Sequence, residues 1–150
     1  MNMPGNLPNS QAGYWLAVVR TFLFYTLWFI PWNLVWCSLI MVFGWFIPMG
    51  WRNPIAVRGW SWPLIWGAWL ITGVRYRVTG RENIPSKAIL VANHQSTWET
   101  IFMLGLVSPQ VPVLKRSLLS IPVFGWALRT IYPIAIIRDN PREAAKSVME

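Results

Sequence analysis

Residues 88–103, AILVANHQSTWETIFM, change character twice. AILVAN, from Ala88 to Asn93, is a short apolar run of the kind that forms a buried strand. Ser96 then opens an apolar stretch at helical spacing that reaches about Val107. Strand, polar loop and helix make the repeating unit of an α/β domain. The loop between them carries His94, the only histidine in the chain.

Working outward, the alternation continues. VRYRVTG, from Val74 to Gly80, has the period of a half-exposed strand, and RENIPSK is a connection. PQVPVLK predicts another strand, SLLSIPVFGWALRT a helix interrupted by Pro122 and Gly125, and YPIAIIR a further strand. PREAAKSVME starts a helix with Pro in its first turn. The expected class is therefore α/β, with a sheet domain occupying residues 74–150. The last helix has no stop signal before Glu150, so the sheet is expected to be incomplete and the chain to be the amino-terminal piece of a longer protein.

Upstream the composition is different. Residues 1–13, MNMPGNLPNSQAG, have no periodicity and predict a flexible tail. No charge occurs from Thr21 to Trp51, which as one straight helix is about 46 Å against a hydrocarbon core of about 30 Å. Pro31 is expected to kink or break that run, leaving Trp32–Trp51 at the length of one span. A second uncharged run covers Gly59–Val74. Residues 14–73 thus predict a helical membrane anchor, either a spanning pair or a hairpin lying partly embedded. Ten of the twelve tryptophans fall between Trp15 and Trp69, and tryptophan favours the headgroup boundary. Charged residues make up 12% of the chain, against about 25% in a soluble domain, which also points to lipid.

Net charge is +8, and residues 1–74 hold Arg20, Arg52 and Arg58 with no acid. Positive charge beside apolar segments suits anionic lipid on a cytoplasmic face, or an anionic substrate. No basic stripe or nucleic-acid motif accompanies it, so no nucleic-acid partner is expected. Cys37 has no second cysteine to pair with, and one His with one Cys does not make a zinc site.

Ser96-x-x-Glu99 fits a capping box, in which Ser96 caps the helix and Glu99 bonds back to the cap N–H. That accounts for Ser96 and Glu99 without chemistry, but not for His94 at the carboxyl end of a strand, where α/β proteins place ligands. Glu99, in the first helical turn, is near enough to accept from one imidazole nitrogen and fix the tautomer. The other nitrogen then faces outward as a general base.

These blocks resemble a known family. VTGRENIPSKAILVANHQSTWETIFM is similar to the first conserved block of the glycerolipid acyltransferases, and VPVLKRSLLSIPVFGWALRTIYPIAIIRDN to their second, most of all in the bacterial enzymes that acylate lysophosphatidate. The resemblance runs from about Val74 to Met149. It implies that His94 and Glu99 occupy the family's His-x4-Asp positions, His94 as base toward the glycerol hydroxyl of 1-acyl-glycerol-3-phosphate and Glu99 as its support. Glu99 stands where the family commonly has Asp.

It further implies that Lys115 and Arg138, with Arg116 beside them, bind the substrate phosphate; Ile137 stands where many relatives have Asp. The acyl donor would be acyl-CoA or acyl carrier protein, no cofactor or metal would be needed, and the site would face the cytoplasm from a bacterial inner membrane. A later Glu-Gly-Thr-Arg block is expected beyond Glu150. A related acyltransferase with another lipid acceptor, or a non-catalytic relative, would share the same residues.

Overall fold

The structure, a computed structural model, describes residues 11–137. The chain is already helical at Gln11, inside the expected tail, and α1 runs Gln11–Leu23. It passes through a π-helical turn, Phe24–Phe29, into α2, Ile30–Phe43, and closes with a 3-10 turn, Gly44–Phe46. Pro31 therefore does not end the helix. The widened turn before it, in which the Ile30 N–H bonds to the Tyr25 carbonyl, places Pro31 at the start of the next α segment, where its missing N–H is tolerated. Helix Gln11–Phe46 is long and apolar enough to cross a membrane.

After Ile47 and Pro48 the chain returns as α3, Met49–Gly67, and ends in a second π-helical turn, Ala68–Thr72. Gly73 stops it at φ 77°, a left-handed conformation that glycine adopts without steric cost. Leu27, Trp66 and Leu70 keep two thirds of their surface exposed on the outside of this hairpin. With the apolar helix, they mark the chain as membrane-associated.

The tryptophans are more than boundary markers. Trp28, Trp32 and Trp36, four residues apart, share one face of the first arm. Their indole N–H groups donate to the carbonyls of Pro63 (2.9 Å), Trp60 (3.3 Å) and Ala56 (3.0 Å) on α3. The Trp60 indole answers by donating to Asn33 Oδ1 at 2.9 Å. In apolar surroundings an unpaired indole N–H is costly, so this ladder both satisfies the donors and sets the register of the arms. Gly59 and Gly67 make room for it: a Cβ there would lie 2.1 Å from the Trp36 ring and 2.2 Å from the Trp28 ring.

The inner side of the hairpin is buried against the second half of the chain. Helix α4, Thr97–Leu106, forms within a residue of its expected bounds. Its Ile101 packs with Leu64 and Ile65 of α3 in one buried cluster. Gly105 lets the backbones approach, a Cβ there falling 3.1 Å from that of Ser61. A second cluster joins Ile40, Ala56 and Val57 to Ile131. Polar ties reinforce the seam: Asn53 Nδ2 donates to the Gln110 carbonyl at 2.6 Å, the Gln110 N–H donates back to Asn53 Oδ1, and Arg58 donates to the Ser108 carbonyl.

Strands are fewer than expected. β1, Val113–Lys115, and β2, Ile134–Ile136, pair in parallel, with Val113 opposite Ile134 and Lys115 opposite Ile136. Between them lie a 3-10 turn, Arg116–Ser120, and a short helix α5, Phe124–Arg129, completing a βαβ unit. The helix expected over SLLSIPVFGWALRT is thus reduced to its last part. Pro122 and Val123 divide it, with Val123 at φ 63° and the Phe124 N–H bonded to the Pro122 carbonyl.

The runs 74–80 and 88–93 form no ladder, and Ile89 and Val91 are 93% and 91% exposed. Apolar alternation supplies a strand's side chains but not its partner. Without a neighbouring edge the backbone groups bond to water instead. The described residues are mostly helical, with one small parallel sheet. The expected helix PREAAKSVME lies outside them.

Candidate active site

His94 sits in the loop that enters α4, and Glu99 is the third residue of that helix. From there its side chain turns back over the loop. Glu99 Oε1 accepts from His94 Nδ1 at 2.9 Å and from the Gln95 N–H, while Oε2 accepts from the Ser96 hydroxyl at 3.4 Å. Ser96 itself has the extended backbone of an N-cap, φ −154°, but makes no capping bond with its side chain. The expected capping box is therefore one-sided, because the Ser96 hydroxyl is turned toward the carboxylate.

Convergence of donors decides the electrostatics. Partial desolvation, the largest single influence on Glu99, pushes its carboxyl upward. The N–H groups of Ser96 and Gln95, the His94 contact and the His94 charge together outweigh it and hold Glu99 below the ordinary carboxylate value. The positive end of α4 acts in the same direction. An ionised carboxylate can only accept, so Nδ1 of His94 carries a proton, and in the neutral form of the imidazole the lone pair is on Nε2. The histidine side chain is 67% exposed and that of Glu99 24%, which leaves the imidazole open to an incoming hydroxyl.

Four neighbours went unseen in the sequence. Thr100 Oγ1 lies 3.4 Å from His94 Nδ1, a second contact on the nitrogen facing Glu99. Trp98 and Phe102 stack at 5.1 Å with rings 7° apart, and Tyr76 packs on both. Aromatic side chains four apart on a helix were the available signal; that Tyr76 would join them was not. The stack ties residue 76 to the helix bearing Glu99. Beside it is an apolar cavity of about 180 Å³, lined among others by Tyr25, Leu64, Val74, Thr97, Trp98 and Ile101.

Lys115 ends β1 and Arg116 follows it; both are exposed, and no hydrogen bond or ion pair joins either to His94 or Glu99 among the described residues. Arg138 lies outside the described residues. Among the described residues no three of His, Cys, Asp and Glu gather in a way that could hold a metal ion.

Comparison with known proteins gives this geometry a family. The family model described as Acyltransferase matches residues 75–150. The 1-acyl-sn-glycerol-3-phosphate acyltransferase of Pseudomonas aeruginosa is 42% identical over 134 residues, which cover 89% of this chain and 52% of that protein. The Saccharomyces cerevisiae protein of the same name is 37% identical over 78 residues, 50% of this chain and 25% of its own. That of Borreliella burgdorferi is 38% identical over 80 residues, 51% of this chain and 32% of its own. The chain thus spans about half the length of the Pseudomonas relative and less of the others. No solved structure matches it. With the family model matching from Arg75 to Glu150, the chain belongs to the acyltransferase family.

Proposed function

We propose that this chain carries the catalytic base of a membrane enzyme that transfers an acyl group to the free hydroxyl of 1-acyl-glycerol-3-phosphate, giving phosphatidate. The observation that carries the reading is the 2.9 Å contact between His94 Nδ1 and Glu99. It supports a reading in which Nδ1 carries a proton and Nε2 of the neutral imidazole serves as the base. In the proposed step Nε2 takes the hydroxyl proton as the glycerol oxygen attacks the thioester carbonyl of acyl-CoA or acyl carrier protein. The tetrahedral intermediate then collapses, the thiolate leaves, and the imidazolium returns the proton to it. Glu99 stays ionised and stabilises the imidazolium while it exists. The hydroxyl is the nucleophile, so no acyl-enzyme forms and no cofactor is called for.

Lys115, Arg138 and Arg116 are proposed to hold the substrate phosphate, with Lys115 at the carboxyl end of a parallel strand, where α/β sheets bind ligands. The βαβ unit is proposed as part of a larger α/β sheet domain over residues 74–150. Residues 14–73 would be its anchor, on the cytoplasmic face of a bacterial inner membrane. The apolar cavity beside Thr97 and Trp98 has the chemistry to take a hydrocarbon chain. The test is His94→Ala in the native protein: acyl transfer should fall by about 10²–10⁴ while membrane binding survives. Unchanged turnover would refute the proposal.

A further inference from the structure

A second cavity, of about 550 Å³, is lined by neither His94 nor Glu99. Gln110 and Val111, which precede β1, and Tyr132, which precedes β2, line it together with Ser86–Ala88. It is therefore at the amino end of the sheet, whereas Lys115 is at the carboxyl end. Its remaining wall is the first turn of α3, where Arg52 is only 7% exposed.

Arg52 is a buried cation with unused donors. Nη2 reaches the carbonyls of Ile47 (3.2 Å) and Trp45 (3.4 Å), and the guanidinium lies 5.1 Å from the Trp45 ring centre. Nε is buried without any partner, and no carboxylate pairs with Arg52 among the described residues. A buried unpaired charge is costly, and an anion in the cavity would offset that cost. Lys87 lines the same cavity, the positive end of α3 opens onto it, and no acid among the described residues does. The surrounding turn exposes Trp45, Phe46, Met49 and Trp51, side chains suited to the edge of a lipid layer.

We propose that this cavity binds the phosphate group of an anionic membrane lipid, with Arg52 and Lys87 as its cationic ligands. It is distinct from the phosphate contacts proposed for Lys115 and Arg116, which do not line it. A lipid headgroup seated there would hold the α2–α3 turn against the membrane surface.

The test is calorimetric titration of the native protein in detergent with short-chain phosphatidylglycerol and, separately, with inorganic phosphate. The expected result is saturable binding of the lipid at one site, with inorganic phosphate competing more weakly. Lys87→Gln, an exposed change that leaves Arg52 in place, should weaken both about tenfold, the loss of one charge-assisted contact. Arg81→Gln removes the same charge outside the cavity and should leave this affinity unchanged. Binding of phosphate without the lipid would overturn the lipid assignment. Absence of saturable binding, or equal weakening by Lys87→Gln and Arg81→Gln, would overturn the site.

Discussion

Replacing Gly67 with Ala should destabilise the protein, although the same change in an ordinary helix stabilises it. On propensity alone Ala gains about 1 kcal/mol over Gly in a helix interior. Here the new Cβ would fall 2.2 Å from both Cδ1 and Nε1 of Trp28, where carbon contacts need about 3.5–4.0 Å. The ring has to move by more than an ångström, and its 2.9 Å bond to the Pro63 carbonyl cannot survive that. Overpacking costs about 1–3 kcal/mol, and the orphaned indole N–H about 1–3 kcal/mol more. The balance is a net loss of roughly 1–5 kcal/mol. Gly50→Ala, in the first turn of the same helix with nothing within 4 Å of its Cβ, is the control. It should be neutral or stabilising. Thermal unfolding in detergent, followed by far-ultraviolet circular dichroism, reads both, at about 2–4 °C per kcal/mol. If Gly67→Ala raises the midpoint as Gly50→Ala does, Trp28 does not pack on Gly67 and the ladder argument fails.

Three further outcomes follow from the same geometry. Glu99 is held below its ordinary value, so its contribution to stability is present above the unfolded carboxylate value and is lost as pH falls through the depressed one. Glu99→Gln should flatten that acid limb, seen as amide exchange at Gln95 that no longer accelerates across the carboxylate range. Gly125→Ala places a Cβ 2.5 Å and 2.6 Å from the carbonyl oxygens of Leu119 and Leu118; backbone cannot rotate aside, so the midpoint should drop by an amount corresponding to about 1–3 kcal/mol. Gln110→Leu removes the amide that donates to the carbonyls of Leu104 (2.7 Å), Met103 and Val107 at the end of α4, and should cost about 1–3 kcal/mol in the same measurement.

What could be read in advance was local. His94 and Glu99 meet because a loop residue and the third residue of the following helix are close in any chain of that pattern, and α4 forms within a residue of its expected bounds because its apolar spacing and the Glu99 bond back to the loop are local. The strands at 74–80 and 88–93 failed for the opposite reason: pairing depends on an edge supplied from elsewhere in the sequence. Pro31 is misleading for a related cause, since the π-helical turn that accommodates it spans residues whose own preferences are unremarkable. Which tryptophans face α3 rather than lipid is a property of two helices together. Arg52 showed in the sequence only as a cation near an apolar run, and its burial depends on the Ser86–Ala88 and Pro109–Val111 segments arriving beside it.

The seam between α3 and α4 connects these observations. α4 carries Glu99 at one end and Gly105 at the other, and between them Ile101 is buried on Leu64 and Ile65. At the far end of α3, Arg52 and Asn53 stand beside the Gln110 loop. α4, which carries Glu99 and through it the His94 contact, is therefore packed directly on the hairpin. If the hairpin rests at the interface, that packing sets the height of α4, and so of Glu99, above the lipid. In the proposed reaction, where His94 would meet a hydroxyl on a lipid anchored by its own tail, that height would do part of the positioning that an enzyme acting on a soluble substrate has to achieve through binding contacts alone.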